Sequence, residues 1–336
     1  MRIQVWKIPV NSQRPPDFVH SNDEPQLYEH RKAERARQFC FREGWIGIGW
    51  AIPGLNRDFS DHSEYLSALA NTTEKDLGFR AKDAQGSCLA FAIDMNDGDF
   101  VWCRALGNTY WLGRIYGPWQ YFHNDDFCRY DLHQVRKCKW IEVGSADNVP
   151  GPVLNAFAGR GMAISRIRRN EPIVLFASAL LWENRTKEVV EIDAPVVGDA
   201  WANAISHDNL EDIVALYLQL EKGWIVIPST VKKSTPFTEM VLRNKDAERA
   251  YVQVKSGAAI VRIDKSAIPN DVDVFYVFFP SIDNAEIESN LDSRIEFIKP
   301  ETILKFMREN EGLMPSFVQL LIQQVGSLNP PAPARR

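Results

Sequence analysis

The chain has no Cys-x-x-Cys pair. Its five cysteines, Cys40, Cys88, Cys103, Cys128 and Cys138, are scattered and odd in number. That pattern speaks against a disulfide framework and against a zinc site built from paired cysteines. Free thiols in a reducing compartment are what remains. No uninterrupted apolar run approaches the roughly 20 residues of a membrane-spanning helix. The opening segment 1–8 is too polar for a signal peptide and reads as a first strand, so a cytoplasmic protein is expected. No Gly-x-x-x-x-Gly-Lys-Ser/Thr loop occurs, so no NTPase motor is expected in this chain. A net charge of −5 lacks the basic excess of a protein that coats nucleic acid. Local basic clusters at 31–37, 129–139, 160–169 and Lys232-Lys233 leave room for local DNA contact, because field is local. No internal repeat is visible.

What is present suits soluble globular protein: 45% hydrophobic and 25% charged residues. A length of 336 residues predicts two domains. The first 170 residues carry short strand signals at 45–50, 99–104, 110–116 and 133–140. Turn residues punctuate them at Asn96-Asp97-Gly98, Gly107-Asn108 and Gly117-Pro118, with a more helical insert near 60–84. This predicts a small, mostly β barrel over 1–168. Seven of the ten Trp fall within the first 140 residues, more than a barrel core needs. The stretch Gly151–Gly161 reads as a closing loop or short helix. Helical periodicity at 171–185 predicts a helical connector over 169–206.

From Asp208 the pattern changes to α/β around a central mixed sheet, over 207–326. A helix at about 208–222 starts at the possible cap Asp208. Strands follow at 223–228, 239–242, 250–255 and 272–279, with a turn at 244–248. Helices come at 300–309 and 315–324. The Pro-rich tail 327–336 reads as frayed.

The chemistry lies in Tyr251-Val252-Gln253-Val254-Lys255. A strand puts residues i and i+2 on one face, so Gln253 and Lys255 point the same way out of an apolar run. Lys is rarely buried without a partner. The expected partners are Glu239 on the preceding strand and Glu211 on the helix, where Asp212 and Glu221 are rivals. An acid on a helix, an acid on one strand and Gln-x-Lys on the next can serve metal-dependent phosphodiester cleavage. Glu239, the Gln253 amide oxygen and the Val254 carbonyl could ligate Mg²⁺ or Mn²⁺, which prefer oxygen. Lys255 could steady a nucleophilic water or the developing charge. Glu211 could bind a second metal or orient a water.

Residues 208–257 resemble restriction-endonuclease-like nucleases of the PD-(D/E)XK superfamily, in particular the Mrr-like branch. The matching positions are Glu211, Glu239 and Gln253-Val254-Lys255, followed by Ser256-Gly257. Two departures stand out. Glu239 replaces the usual Asp, and Ser234-Thr235-Pro236-Phe237-Thr238 replaces the usual Gly-rich approach. The N-terminal part resembles the EVE-like group of PUA-superfamily domains. This rests on Gly47-Ile48-Gly49-Trp50, Met95–Trp102, Trp111–Gly117 and Arg136–Trp140, over about one hundred residues. The resemblance implies a modified base flipped into an aromatic pocket. Aromatic stacking returns roughly 1–3 kcal/mol per base against the cost of unstacking. Candidate walls are Trp45, Trp50, Trp111 and Trp119. Strand alternation also allows Trp50, with Ile46 and Ile48, and Trp102, with Phe100, to be core.

Together these readings predict a modification-dependent DNA endonuclease, of the kind used in type IV-like restriction and phage defence. One active site per chain predicts a homodimer or higher oligomer for double-strand cutting. The alternatives are a catalytically weak or inactive nucleic-acid-binding protein, or a nuclease acting on modified RNA.

Overall fold

The computed structural model describes residues 3–8, 25–51, 57–71, 81–158, 164–192, 199–230, 239–255, 268, 270–280 and 292–328. Several sequence features fall outside them: Lys232-Lys233, the Ser234–Thr238 approach, Ser256-Gly257, the middle of the 60–84 insert, Gly159–Gly161 and Pro330–Arg336. The chain divides into two compact units. One comprises Met1–Val149 with Asn155–Ile192, and the other Pro150–Leu154 with Asp193–Arg336. Both are built on mixed sheets with helices, and the first sheet has a barrel-like curl. Among the described residues no helix is long and apolar enough to cross a membrane.

The elements of the first unit run β1 (Val5–Lys7), α1 (Pro25–Glu43), β2 (Trp45–Ile48), α2 (His62–Ala70) and α3 (Ala81–Leu89), which continues into a π-helical turn at Ala90–Asp94. Then come β3 (Phe100–Arg104), β4 (Tyr110–Ile115), β5 (Gln120–Tyr121), α4 (Asp125–Cys128) and β6 (Gln134–Gly144). Helix α5 (Gly151–Ala158), whose residues up to Leu154 are counted with the other unit, β7 (Ser165–Arg166) and α6 (Glu171–Thr186) follow. The sheet order is β2-β6-β4-β3-β1-β7, with β5 also on β6. The curl comes from β6. Its first residues pair with β2 and β5, and the rest pair with β4. Gly113 allows that curvature, since a Cβ there would sit 2.6 Å from Cys138 Sγ and 2.7 Å from Trp140 Cε3.

Phe100 and Trp102 are both fully buried, as their shared strand face predicts. Helix α6, predicted as a connector, belongs to this unit. Trp102 Nε1 donates to Ser178 Oγ at 3.0 Å, and Phe100 meets Trp182 edge-on at 5.9 Å. Two buried charges organise the curled sheet. Asp99 accepts from Gln4 N, Trp6 Nε1 and Asn96 N at 2.8–3.0 Å. Arg136 donates to the carbonyls of Phe91, Ala92 and Gly117. Part of the basic stretch 129–139 is therefore internal structure rather than a DNA-facing surface.

The second unit runs α7 (His207–Lys222), β8 (Ile225–Val226), β9 (Met240–Arg243), β10 (Arg249–Val254), β11 (Val274–Phe278), β12 (Ile295–Ile298), α8 (Pro300–Glu309) and α9 (Ser316–Leu328). The sheet order is β12-β11-β10-β9-β8. The β10–β11 and β11–β12 pairs are parallel, whereas β9–β10 and β8–β9 are antiparallel. Helix α7 is capped by Ser206 rather than Asp208, which already lies inside the helix. Ser206 has extended backbone and its Oγ accepts from Asn209 N at 3.1 Å, the arrangement an N-cap needs. Gly223, at φ 73°, closes the other end. Leu210, Ile213, Val214 and Leu218 bury one stripe of α7. The predicted strand 223–228 shortens to two residues.

Candidate functional site

Strand β10 alternates as its sequence requires. Ala250, Val252 and Val254 are fully buried, while Tyr251, Gln253 and Lys255 are partly exposed on the other face. Lys255 is held at the strand end by its backbone N–H, which donates to Phe278 O at 2.9 Å. Glu239 precedes β9, and its N–H donates to Val252 O at 2.9 Å. This anchoring brings Lys255 Nζ to 3.6 Å from Glu239 Oε1, with side chains 39% and 22% exposed. The ammonium and the carboxylate therefore meet in a position that solvent can still reach.

Helix α7 supplies the rest. His207 and Glu211 are one turn apart, and His207 Nε2 lies 3.0 Å from Glu211 Oε1. One ligand atom each from His207, Glu211 and Glu239 falls within 4.8 Å of the others. The helix acid thus joins the strand acid, as the sequence suggests. Gln253 shares the Lys255 face, and the Val254 side chain is buried on the opposite one. The residue missed from sequence is His207. Its His-x-x-x-Glu spacing puts it on the Glu211 face, and that was a usable signal.

The pKa of His207 is raised above the ordinary histidine value. The hydrogen bond to Glu211 is the main cause. Burial opposes it, and the charges of Glu211, Glu239 and Asp208 add to it. Two carboxylates, the Lys255 ammonium and the His207 imidazole so share one small volume. His207 Nδ1 is buried without a hydrogen-bond partner. Two carboxylates side by side are the donor type a hard divalent cation takes, and Gln253 lies on the same strand face as Lys255.

The four tryptophans proposed as pocket walls divide between two core clusters. Trp119 is fully buried, donates from Nε1 to Gln134 Oε1 at 3.2 Å and stacks on His62. Trp50, at φ 68°, packs against the same cluster. Trp45 packs on Phe127 with Lys137 Nζ 3.4 Å above its ring. Trp111 stacks on Phe41 at 4.2 Å. None of the four lines the cavity of about 760 Å³ in the first unit, which is bounded by Phe41, Arg114, Tyr116, Lys139, Trp140 and Trp182, among others. Lys139 is tied there to Glu188, which also accepts from Trp182 Nε1 at 3.1 Å. Sequence alternation alone did not reveal this cleft, because its walls come from α1, β4, β6 and α6 together.

A sequence model of a family described as a domain of unknown function (DUF8426) matches residues 27–155. That stretch lies before the His207, Glu211, Glu239 and Lys255 cluster. No curated protein and no solved structure gives a match to the chain.

Proposed function

We propose that this protein is a metal-dependent endonuclease acting on DNA that carries modified bases. In this reading the N-terminal unit is an EVE-like reader and the C-terminal unit an Mrr-like PD-(D/E)XK nuclease. One observation carries it: Lys255 Nζ stands 3.6 Å from Glu239 Oε1, beside the His207–Glu211 pair. Three elements distant in sequence bring those groups together. Glu239, Gln253 and the Val254 carbonyl would hold Mg²⁺ or Mn²⁺, with Glu211 alongside. Such an ion, when bound, supplies neutralisation of phosphate charge and acidification of a coordinated water.

The chain's own residues have separate tasks. Lys255 is a compact ammonium able to face a phosphate oxygen or the attacking water and stabilise charge as it develops. Glu239 fixes the position of Lys255. Glu211 keeps His207 cationic over a wider pH range and holds it beside the same carboxylates. The partial exposure of all four groups leaves a path for a backbone phosphate. One active site per chain makes a homodimer or larger assembly the form that cuts both strands, with restriction of foreign DNA as its use.

The test uses the full chain with duplexes containing either plain or modified cytosines, with Mg²⁺, with Mn²⁺ and with chelator. The native protein is expected to cut only with metal and to prefer one modified duplex, and Glu239→Gln is expected to bind without cutting. Metal-independent cutting, or equal cutting by Glu239→Gln, would refute the reading. Binding without any cutting by the native chain would leave a nucleic-acid binder.

A further inference from the structure

A second group of ligating side chains lies in the first unit, and nothing above uses it. His123, Cys128 and His133 are spaced His-x₄-Cys-x₄-His, and one ligand atom of each falls within 4.8 Å of the others. We propose that these three residues bind a borderline-soft divalent transition metal of the Zn²⁺ class. The ion would pin the β5–β6 connection.

The local fold brings the three together by construction. Phe122 N donates to His133 O at 2.7 Å, so the chain leaves and re-enters the sheet at neighbouring positions. Between them, Asn124 caps the short helix α4, which ends at Cys128. Asp131, at φ 54°, turns the chain back, and its N–H donates to Cys128 O at 2.9 Å. His123 N donates to Asp58 Oδ1 at 2.7 Å, and His133 N donates to Ile48 O at 3.0 Å. The backbone of all three residues is therefore fixed before any ion arrives.

The side-chain geometry suits a tetrahedral ion. Zn–N bonds of about 2.0–2.1 Å and Zn–S bonds of about 2.3 Å give tetrahedral edges of roughly 3.3 Å between nitrogens and roughly 3.6 Å between nitrogen and sulfur. Cys128 Sγ is already 3.8 Å from His133 Nδ1. The His123 and His133 rings face each other at 6.3 Å with planes 29° apart. His123 is exposed, so rotation of its side chain can close the remaining gap. An ion bound at His133 Nδ1 takes the place of the bond that Nδ1 makes to the Phe122 carbonyl at 3.1 Å. Asp131 Oδ1, 4.0 Å from Nε2, lies on the other side of the ring, where it can accept from Nε2–H and orient the imidazole, and the fourth position is left to water.

Asp125, Asp58 and Asp131 lie close enough to act on Cys128, so a cation at this place meets three acids. On binding, the Cys128 thiol proton leaves to solvent and the thiolate lone pair forms the metal–sulfur bond. The His/Cys donor set favours Zn²⁺-type ions over Mg²⁺. The site is therefore chemically distinct from the carboxylate cluster of the second unit.

The experiment uses untagged full-length protein, stripped with chelator and titrated with Co²⁺ as the probe. A thiolate-to-cobalt charge-transfer band in the near ultraviolet, saturating at one Co²⁺ per chain and bleached by Zn²⁺, is expected. The other candidate cluster holds no sulfur and cannot give that band. Cys128→Ser is expected to abolish it. His123→Ala, at an exposed position that folding tolerates, is expected to weaken Co²⁺ binding more than the roughly 10–100-fold lost when only a ligand's orienting partner is removed. Absence of the band in the native chain, or an equal band in Cys128→Ser, overturns the proposal, as does unchanged affinity in His123→Ala.

Discussion

Replacing Lys255 with alanine separates chemistry from stability, because the structure fixes how little the fold depends on that ammonium. At 3.6 Å from Glu239 Oε1, a water-like dielectric makes the pair attraction about 1 kcal/mol. The lysine is more than a third exposed. The net contribution therefore falls in the 0.2–1 kcal/mol range of roughly solvent-exposed pairs, after side-chain entropy and salt screening. For a domain of this size that is a Tm change of no more than about 2–4 °C. Transition-state stabilisation is another matter, since loss of one positioned donor costs about 10²–10³ in rate. Lys255→Ala should therefore melt almost like the native protein, bind DNA, and cut modified duplex at least about 100-fold more slowly. Lys255→Arg should not restore the rate, because a planar guanidinium does not replace a compact ammonium. The assay is single-turnover cleavage with Mg²⁺ beside thermal melts of the same preparations. Cutting within a few-fold of native by Lys255→Ala would refute the assignment of Lys255 to the chemistry. A collapse in Tm would show that its role is structural instead.

Two further outcomes follow from buried and titrating groups. His207 has a folded-state pKa raised chiefly by its hydrogen bond to Glu211. It therefore contributes stability in full below the ordinary histidine value and loses it as pH rises through the folded value. The Tm difference between native protein and His207→Gln should shrink as pH climbs from mildly acid to mildly alkaline, and a difference that does not change with pH would contradict this. Arg136→Leu removes donors from the carbonyls of Phe91, Ala92 and Gly117. Unsatisfied buried acceptors cost about 1–3 kcal/mol each, so denaturant melts should show a loss of at least about 3 kcal/mol. A loss below about 1 kcal/mol would show that these carbonyls find other partners.

What the sequence made legible was governed by periodicity. The i, i+2 relation of Gln253 and Lys255 holds because Ala250, Val252 and Val254 bury the opposite face of β10. Helix α7 was readable from its Leu210, Ile213, Val214 and Leu218 stripe. Helix α1 was not, because among its described side chains the buried ones are Ala33, Ala36, Phe39 and Cys40 in a strongly charged segment, and two alanines give little hydrophobic contrast. The basic run on β6 misled for a different reason. Alternation turns Arg136 inward, while Lys137 covers Trp45 and Lys139 reaches Glu188. Such sorting depends on which strand curls over which, and composition does not carry that. The tryptophans were ambiguous because a curled sheet covered by helices offers interior on both faces. Beyond the His-x-x-x-Glu spacing that pairs His207 with Glu211, its second carboxylate, Glu239, reaches it only through the tertiary fold.

The choice among the acids of α7 can now be argued from geometry. Sequence left Glu211, Asp212 and Glu221 as rivals. Successive helical residues are about 100° apart, so Asp212 cannot share the Glu211 direction, and it is exposed. Glu221 lies near the C-terminal end of the helix and is exposed as well. Glu211, only 20% exposed, contacts His207 at 3.0 Å and has an oxygen within 4.8 Å of Glu239. If the cluster is the active site, the three acids should differ sharply. Glu211→Gln keeps the side-chain volume but removes the charge beside Glu239, and it should slow cleavage by about tenfold or more while lowering the His207 pKa. That loss corresponds to roughly 1.4 kcal/mol of transition-state stabilisation. Asp212→Asn and Glu221→Gln should leave both cleavage and the His207 titration within experimental scatter. Proton NMR of the His207 ring follows the second readout without any need for activity. A shift of His207 in Glu211→Gln with unchanged cleavage would keep the geometry and remove Glu211 from the chemistry. Equal damage from all three substitutions would mean that general helix charge, and not this cluster, supports the reaction.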